Sequence, residues 1–214
     1  ISQTGFTGEK GYEIYVRNAH EYAEKMWNAV LEAGEEFGLM VIAPAHHRRI
    51  AAGILSWGQD LDHETSPFQV NLSYQVPRNK AADYIGKEEL EKQRAIIDEG
   101  KAPFKMKMVG LTLGGKEITD YAPDFWLVTD TDANEVGYVT SPWWSPELET
   151  NIALAWVPWE SSEVGTKFMV KLPDEYSESP GVPVDAKVVD VPFRESVNPN
   201  KREVQASKGL DYAD

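Results

Sequence analysis

The run Lys105-Met-Lys-Met-Val-Gly-Leu-Thr-Leu113 is the first of six short β-rich segments in the second half of this 214-residue chain. Turn-forming residues separate these segments, as in Asp130-Thr-Asp-Ala-Asn134 and Pro173-Asp174. Repeated short strands with turn signals between them are typical of a small antiparallel barrel or sandwich. We therefore predict a six-stranded antiparallel β-barrel, whose other strands are 125–129, 136–140, 152–157, 167–172 and 186–191.

The first half of the chain is mainly helical in pattern. Asn18-Ala-His-Glu21 is typical of a capping box, and it predicts a helix to about Phe37 that Gly38 ends. Its apolar face is formed by Tyr22, Met26, Trp27, Val30 and Leu31. Further helices are predicted at 44–55 and 86–97, and strands at 12–16 and 68–76. The fold class is therefore α+β.

The sequence pattern changes from helical to β-rich near Gly100 to Pro103, and this change predicts a domain boundary. We expect a first domain over residues 1–100, the barrel over 101–197, and a polar tail over 198–214. The chain begins with Ile1 inside a glycine-rich loop, with no methionine and no preceding strand. We therefore expect it to be the later part of a longer protein.

Composition excludes several classes of partner and site. The net charge of −14 disfavours nucleic-acid backbones and anionic membranes, because both require a basic surface. The chain contains no cysteine, so it has no disulfide, thiolate metal site or cysteine nucleophile. No apolar run approaches the roughly 18 residues of a membrane span. The cytoplasm is the expected compartment.

Familiar catalytic motifs are missing from the sequence. There is no Gly-x-Ser-x-Gly elbow and no His-Glu-x-x-His motif, and the adjacent His46 and His47 would point about 100° apart on a helix. No metal site is predicted. Gly5-x-x-Gly8-x-x-Gly11 is neither a Walker loop nor a dinucleotide fingerprint, because a strand-like run follows it.

The stretch from Gly5 to Tyr15 is the better candidate for binding. On a strand, Glu13 and Tyr15 share one face, while Tyr12, Ile14 and Val16 share the other and belong in the core. A carboxylate can accept two parallel N–H donors, and an adjacent aromatic can stack on a flat ring. A solvent-exposed Glu beside a packed Tyr is the alternative interpretation.

Several ordered segments resemble the folate-dependent aminomethyltransferase family, which includes the T-protein of glycine cleavage. Thr4-Gly-Phe-Thr-Gly-Glu-Lys-Gly-Tyr-Glu-Ile14 is similar to its Thr-Gly-Tyr-Thr-Gly-Glu-x-Gly-x-Glu-Ile signature. Arg49-Ile-Ala-Ala-Gly through Trp57-Gly-Gln-Asp-Leu-Asp62 resembles its Arg-Leu-Glu-Ala-Gly and Tyr-Gly-Asn-Asp segment. Shorter similarities lie at Thr65-Ser-Pro67, Ile85-Gly-Lys-Glu88, Thr140-Ser141 and Asn151-Ile152.

This resemblance implies a partial folate-binding domain before the barrel, with tetrahydrofolate as the cofactor. It implies that Glu13 holds the pterin edge and that Phe6, Tyr15 and Trp57 form aromatic walls. By analogy, Trp143 and Trp144 line the substrate side of the same pocket; burial of a barrel edge is the alternative for both.

Departures from the family pattern bear on the reaction. The family's Ala-Arg-Asp triplet, whose Arg contacts folate, aligns with Pro44-Ala45-His46, so Ala45 replaces a guanidinium. Ser66-Pro-Phe68 and Val191-Pro-Phe193 resemble the demethylase branch, which includes dimethylsulfoniopropionate demethylase and aromatic O-demethylases.

We therefore expect a tetrahydrofolate-dependent methyltransferase or demethylase acting on a small-molecule methyl or aminomethyl donor. Aminomethyl transfer from glycine, dimethylglycine or sarcosine derivatives is one alternative, and a non-catalytic folate-binding regulator is another. The family's catalytic Asp aligns upstream of this sequence, so no residue here inherits a catalytic role. We expect this chain alone to be inactive.

Overall fold

A computed structural model describes residues 1–78, 80–120 and 122–193. Three α-helices precede the barrel: α1 (Ala19–Gly34), α2 (His46–Ala51) and α3 (Lys87–Asp98). The strands are β1 (Met106–Leu113), β2 (Trp126–Thr129), β3 (Glu135–Ser145), β4 (Thr150–Pro158), β5 (Lys167–Val170) and β6 (Val184–Val189). Short 3₁₀ helices lie at Glu35–Phe37, Ser73–Gln75 and Trp159–Ser161. Within the described residues, no helix has the length and apolar character needed to cross a membrane.

The six strands close into an antiparallel barrel in the order β1-β4-β3-β2-β5-β6, with β6 pairing back onto β1. This confirms the predicted α+β class and the six-stranded barrel. All six predicted strands are present, and β3 continues five residues beyond the predicted end at Thr140, to Ser145. The final residues of the predicted barrel and the predicted tail at 198–214 lie outside the described residues.

β4 is buried along almost its whole length because both of its faces are covered. One face points into the barrel, where Ala153, Ala155 and Val157 join the inner core. The other face carries Ile152, Leu154 and Trp156, which pack with Ile50 and other members of a second cluster outside the barrel. Alternating side chains explain this division. The outer face of β4 is therefore one of the surfaces through which the helical half of the chain packs on the barrel.

The helix α2 is shorter than predicted because the chain reverses at Gly53. Gly53 has a φ of 73°, its N–H donates to the Ile50 carbonyl at 2.9 Å, and the Ile54 N–H donates to the Arg49 carbonyl at 2.8 Å. These two bonds form a Schellman motif, which satisfies carbonyls at the end of a helix. The predicted helix over 44–55 therefore spans only His46–Ala51.

The predicted capping box at the start of α1 is wrong. Asn18 adopts a left-handed conformation and its side chain makes no capping hydrogen bond; only its backbone carbonyl accepts from the N–H groups of Glu21 and Tyr22. The predicted stop at Gly38 is confirmed, since its φ is 69° and the Leu39 N–H donates to the Gly34 carbonyl. No residue of α1 is buried within the described part of the chain.

The predicted strand at 68–76 is also wrong. Phe68 and Val70 are buried, but turns and the 3₁₀ helix replace a strand, and Asn71 has a φ of 62°. Polar side chains tie this segment to β1 instead: the Asn71 amide donates to the Met108 carbonyl at 3.0 Å and the Gln69 amide donates to the Met106 carbonyl at 3.2 Å. The segment therefore buries its apolar residues without joining a ladder.

Candidate functional site

The loop that carries Glu13 is held by a single bridge rather than by a strand. Ser2 and Glu13 exchange two backbone hydrogen bonds of 2.9 Å, and no regular strand forms at 12–16. Tyr12 and Ile14, which the sequence places in the core, are 61% and 43% exposed. That prediction is wrong because, within the described residues, one bridge supplies no sheet face against which these side chains could pack.

The sequence predicts that Glu13 and Tyr15 share one face of a strand; the strand is absent, but the two side chains are in contact. The Tyr15 hydroxyl donates to Oε2 of Glu13 at 2.8 Å, and the Thr4 hydroxyl donates to the same oxygen. The bond from Thr4, followed by that from Tyr15, lowers the pKa of Glu13, and the Glu13 carboxylate in turn raises the pKa of Tyr15. Glu13 is therefore an exposed, ionised carboxylate whose orientation is set by two neighbours.

This arrangement leaves acceptor capacity on Glu13. Both of these bonds end on Oε2, while a carboxylate offers about four lone pairs over its two oxygens. Oε1 can accept an N–H donor directly. A paired donor edge would also reach Oε2 by displacing one of the two hydroxyls, which are both on flexible side chains. The geometry suits a ligand with two adjacent N–H groups.

The other predicted aromatic walls lie on the surface. Phe6 is 48% exposed and Tyr15 is 71% exposed, while Trp57 is 68% exposed on a turn that bridges to Leu61. Exposed rings of this kind are available for stacking. The loop bearing Phe6 is placed beside α2, because a Cβ added to Gly8 would lie 2.5 Å from the Cβ of Ala52.

The two candidate tryptophans on β3 do not share an environment. Trp143 packs against the outer cluster, and its ring centroid lies 5.2 Å from that of His46 at the start of α2. Trp144 points to the opposite face of the strand, and its backbone N–H donates to the Ile118 carbonyl at 2.8 Å. Only Trp143 therefore contacts α2, whose other end approaches the Glu13 loop at Ala52.

A buried polar cluster beside α2 is the feature that the sequence did not reveal. Arg49 and Asp60 are 2% and 1% exposed, and their side chains form an ion pair at 2.6 Å. The Ser56 N–H donates to Asp60 at 2.8 Å, and the hydroxyls of Thr140 and Ser141 donate to it at 2.6 and 2.5 Å. The four donors occupy both oxygens of Asp60, so this carboxylate is structural rather than a free base.

The hydroxyls of Thr140 and Ser141 reach one carboxylate because β3 has a bulge. Val139 pairs with Ala155 but Ser141 pairs with Leu154, so Thr140 is an extra residue in the ladder. Consecutive side chains normally point to opposite faces, and a bulge changes that alternation. The neighbouring Thr140-Ser141 pair was a signal in the sequence, but its partner Asp60 is 80 residues away from Thr140.

Comparisons with known proteins show which protein family this architecture resembles. The family model described as the GCVT N-terminal domain matches residues 1–80, and the one described as the glycine cleavage T-protein C-terminal barrel domain matches residues 107–194. The crystal structure of glycine cleavage system aminomethyltransferase T from Bartonella henselae is similar in fold, with a TM-score of 0.69 and 23% identity. That similarity covers 90% of this chain and 48% of that one.

Curated relatives named aminomethyltransferase agree with both family models. The protein from Geobacillus sp. (strain WCH70) is 35% identical over 90% of this chain and 48% of its own length. The protein from Bacillus subtilis (strain 168) is 33% identical over 90% of this chain and 49% of its own length. The chain thus spans about half the length of the curated relatives it matches. It belongs to the glycine cleavage T-protein-like family.

Proposed function

We propose that this chain is the part of a tetrahydrofolate-dependent one-carbon transferase that holds the pterin. The observation that carries the proposal is the Glu13 carboxylate, which is exposed, ionised and oriented by Thr4 and Tyr15, with Oε1 open to a donor. A pterin presents adjacent amino and ring N–H groups that match a carboxylate acceptor. Tetrahydrofolate would supply the nitrogen that accepts the one-carbon unit.

Aminomethyl transfer is the reaction we favour. The similar curated proteins from Geobacillus sp. and Bacillus subtilis are named aminomethyltransferase, which supports this reaction over demethylation. In this proposal Glu13 orients the pterin, Tyr15 and Phe6 offer ring faces, and Trp57 forms a further wall. Trp143 would line the donor side, where it contacts α2 through His46.

Demethylation is kept as a second candidate because of one residue. Ala45, half-buried just before α2, aligns with the family's folate-contacting Arg. A missing guanidinium removes a bidentate donor for a carboxylate. At this folate contact the chain therefore departs from the family pattern, which keeps the demethylase branch as the second candidate. The compartment that we propose remains the cytoplasm.

Binding is tested by titrating tetrahydrofolate under anaerobic conditions and following quenching of the intrinsic tryptophan fluorescence. Glu13→Gln keeps the shape of the side chain and removes its charge, and Glu24→Gln on α1 is a matched control. We expect Glu13→Gln to weaken binding about tenfold, or about 1.4 kcal/mol, and Glu24→Gln to leave it unchanged. Equal affinity in all three proteins would remove Glu13 from the site.

The reaction is tested on the longest natural chain that contains this sequence. Supplying an aminomethyl donor should yield methylene-tetrahydrofolate, whereas a methylated sulfur or oxygen donor would yield methyl-tetrahydrofolate. The first product supports aminomethyl transfer, and the second supports demethylation. Binding without either product would favour a folate-binding regulator.

A further inference from the structure

A cavity of about 460 Å³ is lined by residues of the segment 68–78, by α3 and by Lys107 of β1 with Trp159, and its lining includes no residue of the Glu13 loop. Its size falls in the range of roughly 300–1,000 Å³ that is usual for small-molecule sites. One wall is the start of β1 with Trp159, whose backbone N–H donates to the Lys105 carbonyl at 2.9 Å. The opposite wall is the C-terminal half of α3.

Ser66, Arg94 and Arg78 join the segment that precedes α3 to α3 itself through side-chain contacts. The buried Ser66 hydroxyl donates to the Gln93 side chain at 2.7 Å. The Arg94 guanidinium donates to the Val76 carbonyl and lies 5.1 Å from the ring centre of Phe68. Arg78 donates two bonds to the Asp98 carboxylate, at 2.7 and 2.8 Å.

The lining is basic in a strongly acidic chain. It contains Arg78, Arg94 and Lys107 against the single carboxylate of Asp98, although the net charge of the whole chain is −14. Asp98 is occupied by both nitrogens of Arg78. Arg94 also lies close enough to Asp98 for its charge to act on this carboxylate. Lys107 is the cation of the lining that has no carboxylate partner in the lining. The lining therefore carries more positive than negative charge, which attracts an anion.

Among these cations, Lys107 is the one that most directly indicates a site for an anion. It is half-buried on β1, its ammonium lies 5.1 Å from the ring centre of Trp159, and it forms no ion pair with any carboxylate in the described ranges. Loss of water on burial lowers the pKa of Lys107. A half-buried cation of this kind gains from an incoming anion, because the anion replaces hydration that burial has removed.

We propose that this cavity binds a small organic anion, a carboxylate or phosphate attached to a flat ring, with the charge between Lys107 and Arg94. The rings of Trp159 and Phe68 are each faced by a cation. Tyr74, which also lines the cavity and is 75% exposed, offers a free ring for the body of the ligand. The site is distinct from the proposed pterin site and does not depend on it.

The test follows the indole N–H resonance of Trp159 by NMR, assigned with Trp159→Phe, in the 214-residue chain. Benzoate, phenyl phosphate and the neutral isostere benzamide are the three probes. We expect benzoate or phenyl phosphate to shift this resonance saturably, with an affinity that falls as salt is added, and benzamide to have no effect. The anion that binds more tightly shows whether the site prefers a carboxylate or a phosphate.

Variants at Lys107 separate the effect of its charge on anion binding from the effect of its shape. Lys107→Met keeps an unbranched side chain on β1 but removes its charge, and should weaken anion binding at least fivefold, whereas Lys107→Arg should retain it. Lys171→Met, an exposed lysine outside the cavity, is the matched control and should bind as wild type. The pKa of Lys107 should also rise when the anion binds.

Three results would overturn the proposal. The first is equal binding of benzamide and benzoate, since the site would then select only a ring. The second is unaltered anion affinity in a folded Lys107→Met variant. The third is a Trp159 resonance that no anion moves in wild-type protein, which needs no variant to interpret.

Discussion

Arg49 and Asp60 form an ion pair in which the two side chains are 2% and 0% exposed, with Nη1 of Arg49 lying 2.6 Å from Oδ2 of Asp60. The pair joins α2 to the loop that follows it, and Ser141 links both residues to the barrel. A second anchor is the Trp156 indole, which donates to the Asp60 carbonyl at 3.0 Å. Through this cluster, α2 is fixed to the outer face of β3 and β4.

Removing the charge of Asp60 alone should strongly lower the free energy of unfolding. Asp60→Asn leaves Arg49 buried without a counter-charge, and such changes cost about 3–5 kcal/mol. Urea unfolding followed by far-UV circular dichroism measures the loss. The exposed pair of Arg78 and Asp98 provides the control: Asp98→Asn should change the midpoint by no more than the scatter between repeats. Equal losses of stability in Asp60→Asn and Asp98→Asn would show that burial does not determine how much the Arg49–Asp60 ion pair contributes.

The hydroxyls at the β3 bulge should contribute unequally. Ser141 donates to Asp60 and also accepts from Nη2 of Arg49 at 2.7 Å. Ser141→Ala therefore removes two buried bonds and should cost about 2–3 kcal/mol, while Thr140→Val should cost about 1–2 kcal/mol. Both are read from urea midpoints at constant m-value. The opposite ranking would contradict the bridging role of Ser141.

The barrel could be predicted from sequence because its signals are local. Alternating apolar residues and turn-forming residues mark each strand, and all six predicted strands are found. The Arg49–Asp60–Ser141 cluster could not be predicted, because Ser141 lies 81 residues from Asp60 and reaches it only through a bulge. The strand predicted at 12–16 is absent, and the hydrogen bond from Tyr15 to Glu13 was not predicted; it forms because two residues at i and i+2 of an extended segment can meet.

Gly8 sets the distance between the Glu13 loop and α2. Its φ is 73°, and an added Cβ would lie 2.5 Å from the Cβ of Ala52. Gly8→Ala should therefore push the loop away from α2 at a cost of about 1–3 kcal/mol, and should weaken tetrahydrofolate binding. Gly5→Ala is the matched control, because nothing lies within 4 Å of its added Cβ. Fluorescence titration of the two variants checks the difference; if both bind alike, the contact with Ala52 does not position the loop.

The contact between His46 and Trp143 has a measurable signature. Burial, and then the charge of Arg49, lower the pKa of His46 from its usual value of 6.5. Trp143→Ala exposes the imidazole and should raise this pKa toward 6.5, as followed by NMR titration of the ring protons. Trp144→Ala, which changes the opposite face of β3, should leave the titration unchanged. A pKa that is the same in wild type and Trp143→Ala would place the cause of the shift elsewhere.

His46 also predicts how stability changes with acid. Because its folded pKa lies below the unfolded value, the unfolded chain binds the proton more readily. Stability from this group is fully present above the unfolded pKa of about 6.5 and is lost as the pH falls from there through the lower folded pKa. His46→Gln should therefore lose less stability than wild type between about pH 7 and 5.5, in urea melts at each pH. If the stability of wild type and His46→Gln changed in parallel with pH, His46 would not be the source of this pH dependence.

Glu13 predicts a loss of ligand binding in acid that begins at a lower pH than the effect of His46. Hydrogen bonds from Thr4 and Tyr15 lower its pKa below the usual 4.5, so the carboxylate stays ionised throughout the neutral and mildly acidic range. The ratio of tetrahydrofolate affinities between wild type and Glu13→Gln should therefore be constant from about pH 8 to 5.5, and should fall only when the pH drops below about 4.5. Taking the ratio cancels the ligand's own titration. Tyr15→Phe removes one of the two donors, so it should move the fall in this ratio to higher pH. A ratio that already declines near pH 6 would mean that the group recognising the pterin is not this carboxylate.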